Sequence, residues 1–112
     1  MPRCSNKLLR DFFDCANQIY FDNRLLDSSI ITFGKIKEDG ICKNVGGVTK
    51  ITIHEDLRKH PDLAFVVVLH EMLHADLFHT GYRGREHIEG HGTLFHAGID
   101  RLYKAGAFEG LI

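Results

Sequence analysis

The chain has 112 residues, 44% of them hydrophobic and 26% charged, with 14 basic and 15 acidic side chains. That is room for one domain over residues 1–112 with its own apolar core. It excludes collagen-like repeats, low complexity and disorder of the whole chain. A net charge of −1 gives no reason to expect nucleic acid or an anionic membrane as partner, although a local basic face is compatible with it.

No apolar run approaches the about 18 residues of a bilayer-spanning helix. The longest, Leu63 to Leu69, is stopped by His70. Met1-Pro2-Arg3-Cys4 is not followed by the apolar core of a signal peptide. A cytoplasmic location is therefore expected. Cys4, Cys15 and Cys42 are odd in number and form no C-x-x-C pair. They read as reduced thiols, with neither a disulfide framework nor a cysteine zinc site.

In chain order, residues 7–21 are expected to form an amphipathic helix. Leu8, Leu9, Phe12, Phe13, Ala16, Ile19 and Tyr20 recur every three or four positions. Ser5 or Asn6 is the expected cap, and Asp22-Asn23-Arg24 a turn. Residues 30–54 are rich in β-branched side chains, and Asp39-Gly40 and Gly46-Gly47 carry hairpin-turn chemistry. The expectation is a three-stranded antiparallel meander over 30–37, 40–45 and 48–54. Pro61 suits a first helical position and Asp62 a first turn. A buried central helix is expected from about 62 to 79, although Val66-Val67-Val68 locally favours a strand. Gly81 would stop it. Residues 80–90 read as a polar, glycine-punctuated loop. Residues 91–105 return to helical spacing through Leu94, Phe95, Ile99, Leu102 and Tyr103, up to Gly106. The last six residues carry no clear signal. The expected class is α+β: an N-terminal helix, a small meander, a central helix and a C-terminal helix.

Histidine is the unusual count. Six of the eight fall between residues 70 and 96. His70-Glu71-Met72-Leu73-His74 is an H-E-x-x-H motif on the predicted central helix. Four helical residues advance about 400°, so His70 and His74 stand about 40° apart and one turn from each other. Both can reach one zinc ion, while Glu71 can reach a water on that ion and act as general base. Ionisable groups on a buried helix are costly without such a partner. A catalytic zinc takes a third protein ligand and keeps one position open. His91, between Gly90 and Gly92, is the best candidate. His87 and His96 are second choices, and Glu89 would make a gluzincin-like site. His79 lies about 180° round the helix from His70 and faces away. Position 77 is Leu and position 80 is Thr, so the H-E-x-x-H-x-x-G-x-x-H pattern fails.

Val68-Leu69-His70-Glu71-Met72-Leu73-His74-Ala75, followed by Glu89-Gly90-His91-Gly92-Thr93-Leu94-Phe95, resembles the SprT-like zinc metallopeptidase domain, the family that includes Spartan-type DNA–protein crosslink proteases. Tyr20-Phe21-Asp22-Asn23-Arg24-Leu25 and Ile51-Thr52-Ile53 resemble it too, and the likeness covers about residues 8 to 105. The resemblance implies a zincin-like minimal metalloprotease core, Zn2+ held by His70, His74 and His91, Glu71 as general base, and a protein or peptide substrate. Spartan-type proteins carry further segments, such as a zinc ribbon. No cysteine follows Cys42 here, so DNA targeting does not transfer.

Lys35, Lys37, Lys43 and Lys50 in the meander are interrupted by Glu38 and Asp39 and read as a solvated face. Arg83 and Arg85 flank the candidate site. Two other function classes compete with a peptidase. One is a three-histidine hydrolase of RNA, of the kind whose pattern has Gly where Glu71 stands. The other is a binding module that zinc merely staples, which a fourth protein ligand would indicate.

Overall fold

The computed structural model describes residues 4–25, 28–79 and 93–111. The elements run α1 (Asn6–Tyr20), β1 (Ile30–Gly34), β2 (Gly40–Val45), β3 (Val48–His54), a 3-10 turn (Glu55–Lys59), α2 (Pro61–His79) and α3 (Thr93–Lys104). The class is α+β, as expected.

Ser5 is the cap of α1. Its Oγ accepts from the Leu8 N–H at 3.1 Å, satisfying one of the donors a helix start leaves orphaned. Asn6, the other expected cap, instead accepts from the Phe33 N–H through its Oδ1 at 3.0 Å and ties the helix to β1. Leu9, Phe13 and Ala16 face the core. Buried Asn17 organises the exit. Its Nδ2 donates to the Leu25 carbonyl and its Oδ1 accepts from the Leu25 N–H, at 3.0 and 3.1 Å. Asp22 and Asn23 take φ of 51° and 57°, a left-handed conformation that their short polar side chains tolerate better than most. The turn delivers Arg24 to α2, where Nε and Nη2 donate to both carboxylate oxygens of Asp76 at 2.9 and 2.8 Å.

The sheet is mixed, which corrects the expected antiparallel meander. Its order is β1-β3-β2. β2 and β3 form an antiparallel hairpin ending on Val45 opposite Val48. β1 lies parallel to β3, with Ile31 beside Ile51 and Phe33 beside Ile53. The hairpin turns at Gly46-Gly47, both at positive φ (59° and 83°), which matches the twist of the strands. Asp39-Gly40 is no hairpin turn. Gly40 opens β2 opposite Ile53, and residues 35–39 pass over the end of β3, where the His54 N–H donates to the Asp39 carbonyl at 2.8 Å. Burial explains the order. β3 carries Thr49, Ile51 and Ile53, all buried, and such a strand gains most with neighbours on both sides. β2, with Lys43 and Val45 exposed, suits an edge. Alternation determines which face a residue takes and leaves the neighbouring strand open.

α2 starts at Pro61 and crosses the core. Ala64, Val68, Leu69, Met72, Leu73 and Ala75 are buried. The valine run stays helical because packing of a buried helix outweighs the modest propensity cost of β-branching. The 3-10 turn before it had no sequence expectation; His54 Nδ1 accepts there from the Asp56 N–H at 3.0 Å. α3 packs on α2 through Phe95, buries Leu102 and ends at Lys104, and Gly106 two residues on takes a φ of 86°. Ala107 and Phe108 of the tail are buried. The expected loop 80–90, with its Gly81 stop, lies outside the described residues. Among the described residues no helix is long and apolar enough to cross a membrane.

Replacing Arg24 by Ala leaves the Asp76 carboxylate, 8% exposed, without two charged donors. Arg24 is itself 40% exposed, so the expected loss falls between a surface pair and a fully buried one, about 1–3 kcal/mol. An unchanged urea midpoint in R24A would remove the pair from the stability of α2.

Candidate functional site

Residues four apart on α2 stand one turn above each other. His70 and His74 do so, and their Nε2 atoms approach to 3.3 Å with the rings at 62°. Two ring nitrogens at this distance satisfy each other only when one carries the proton and the other does not. The other arrangement that uses both lone pairs is a shared cation. A tetrahedral zinc with ligands at about 2.0–2.1 Å holds its donor atoms about 3.3–3.4 Å apart. The observed separation fits that ion.

Phe95 of α3 backs both rings. It stacks on His74 with centroids 4.6 Å apart and lies tilted on His70 at 4.8 Å. Being 3% exposed, it presents a carbon surface that restricts how the two imidazoles turn.

Glu71 lies beside them with Oε2 3.8 Å from His70 Nε2, beyond hydrogen-bond range. Its residue is 5% exposed, and burial raises its carboxyl to about 7. A neighbouring cation acts in the opposite direction. Gly40 at the start of β2 faces it. A Cβ on Gly40 would stand 2.5 Å from Val67 Cγ1, 3.2 Å from Glu71 Cγ and 3.3 Å from Glu71 Oε2. The missing side chain is what lets the strand lie against the glutamate. Between β2 and α2 runs a groove of about 490 Å³, with Gly40, Cys42 and Asn44 on one wall and His70, Glu71 and His74 on the other. Burial pushes the Cys42 thiol up to about 12, and the charge of Glu71 adds to the effect.

Of the residues expected at the site, the structure brings His70, Glu71 and His74 together. His91, the expected third ligand, lies outside the described residues, as do Arg83, Arg85, His87 and Glu89. Among the described residues no group of three potential ligands converges. His79 is the last residue of α2, and its side chain is outside the described part; His96 is exposed on α3.

The family model of the SprT-like family matches residues 9–109. The chain belongs to the SprT-like family. No curated protein matches it. In this SprT-like chain the match begins within α1 and runs past the end of α3, so the residues lining the groove lie within the matched region.

Sequence reasoning missed Gly40 and underread Phe95. Gly40 looked like half of a turn, and only the crossing of β2 over α2 shows why no side chain fits. Phe95 reads as one more apolar helical position until its contact with both histidines is seen.

G40A is expected to lose about 1–3 kcal/mol through overpacking, and V67A in the same chain to recover part of it, read from urea unfolding. Full stability in G40A alone would contradict the close approach. Of the three thiols, Cys15 is exposed while Cys4 is buried, so a disulfide reagent at pH 8 should show one fast-reacting group, absent in C15S. A fast Cys42 would contradict the burial of its thiol.

Proposed function

We propose that the protein is a zinc-dependent endopeptidase of protein substrates, acting in the cytoplasm, where its thiols stay reduced. The observation that carries this reading is the 3.3 Å separation of the His70 and His74 nitrogens, which suits tetrahedral zinc. Membership of the SprT-like family supports it. His70, His74 and His91 are the proposed ligands. Bound zinc would supply Lewis acidity, drawing the pKa of a coordinated water toward about 7 and polarising the substrate carbonyl.

The remaining work falls to the chain's own groups. Glu71, held against Gly40 in the wall of the groove, takes a proton from the attacking water and returns it to the leaving amine. β2 is an edge strand, with no strand beyond it among the described residues. An extended peptide can hydrogen-bond to that edge and lie across the groove. Such pairing reads main chain and so suits substrates of varied sequence.

Zinc analysis and proteolysis of the same preparation test this reading. One zinc per chain is expected, reduced in H70A, H74A and H91A and retained in E71Q. E71Q should cleave unfolded casein about 100–10,000-fold more slowly than wild type, and a chelator should abolish cleavage. An E71Q protein as active as wild type would remove Glu71 from the role. Cleavage of single-stranded RNA but not casein would favour the hydrolase of the other substrate class, and a fourth protein ligand on the zinc would favour the binding module.

A further inference from the structure

We propose that a second, apolar cleft bordering His70 receives a large apolar side chain of the peptide substrate, within two residues of the cleaved bond. This rests on the peptidase reading above. It makes Val66, Ile99 and Tyr103 specificity-determining residues.

The cleft lies on the α3 side of α2. Val66 and His70, one turn apart on α2, form one wall; Ile99 and Tyr103, one turn apart on α3, form the other, and Phe108 from the following turn closes it. Apart from the His70 nitrogens and the Tyr103 hydroxyl, these side chains offer only carbon. His70 is the one described residue that borders both this cleft and the β2 groove. A chain paired along β2 that crosses His70 therefore arrives at the mouth of the cleft. Its volume of about 240 Å³ is below the about 300–1,000 Å³ that whole small-molecule ligands occupy. It suits one side chain rather than a cofactor or a docked helix. The rim is also apolar where water would favour polar residues. Tyr103, which lines it, is 66% exposed. Large apolar groups left in water beside a cleft mark a contact surface. Among the described residues that line the cleft none carries a carboxylate, ammonium or guanidinium, so aspartate or lysine there would lose much of its hydration with no opposite charge to replace it.

The test uses the zinc-loaded full chain and a degenerate peptide library, with cleavage positions read by mass spectrometry. Peptides differing only at the selected position then give kcat/KM. One methylene in an apolar pocket is worth about 10–200-fold, so leucine or phenylalanine should exceed alanine or aspartate by at least about tenfold. V66F should fill the cleft and flatten that preference. Y103E, placed at an exposed position so that folding is spared, should flatten it or turn it toward basic side chains. Cleavage without any apolar preference would overturn the cleft assignment and leave the peptidase reading standing. No cleavage of any peptide would overturn both. A preference intact in both variants would detach it from these residues. A concentration-dependent dimer in sedimentation, lost in Y103E, would make the cleft a contact between copies of the chain and overturn the proposal.

Discussion

Two imidazoles held at one separation are the constraint on which the site depends. That separation needs α2 to remain a regular helix through His70 and His74, and several contacts hold it there. Val68, Leu69 and Met72 are buried in the core beneath it. Phe95 backs the two rings from α3. The Arg24–Asp76 pair fastens the turn after α1 to the next turn of the helix. A helix apolar on most of its circumference is one that neighbours surround. Its few polar side chains must then face an opening, a partner or an ion. Asp76 has its partner in Arg24, while His70, Glu71 and His74 face the groove against β2.

The strand that walls the groove is as specific as the helix. β2 is the more polar edge of the sheet, yet its first residue has to be small because Val67 and Glu71 occupy the space a side chain would take. The same strand carries Cys42, whose thiol is kept from ionising by burial and by the charge opposite. The groove therefore holds a thiol that is a poor nucleophile next to a carboxylate well placed to accept a proton. Edge pairing, a carboxylate and two convergent nitrogens lie within one short stretch of surface.

Much of the helical structure was legible in the sequence. Apolar residues at three- and four-residue spacing, with Ser5 before them and Pro61 or Gly106 at the boundaries, locate α1, α2 and α3 to within about two residues, because caps and periodicity are local physics. The faces of the strands were legible for the same reason. Their neighbours were not, since the choice of β3 over β2 beside β1 is made by burial of Ile51 and Ile53 against elements far away in sequence. At the site, His70 and His74 could be read as a pair because a helix turns sequence spacing into distance. Gly40 could not, because its meaning arises only where one element crosses another. The residue proposed to complete the ligand set, His91, belongs to a part of the chain whose course the local rules do not specify.

The parallel placement of β1 has a consequence for how the chain assembles. The β2–β3 hairpin closes over two glycines and can form from local contacts alone. β1 pairs with β3, which lies on the far side of β2 in sequence, so that pairing closes a longer loop than the hairpin does. Closing the longer loop costs more chain entropy, and non-local pairings slow folding. In a growing chain β1 precedes the strand it joins, so until β3 has been made Ile31 and Phe33 have α1, not Ile51 and Ile53, to pack against.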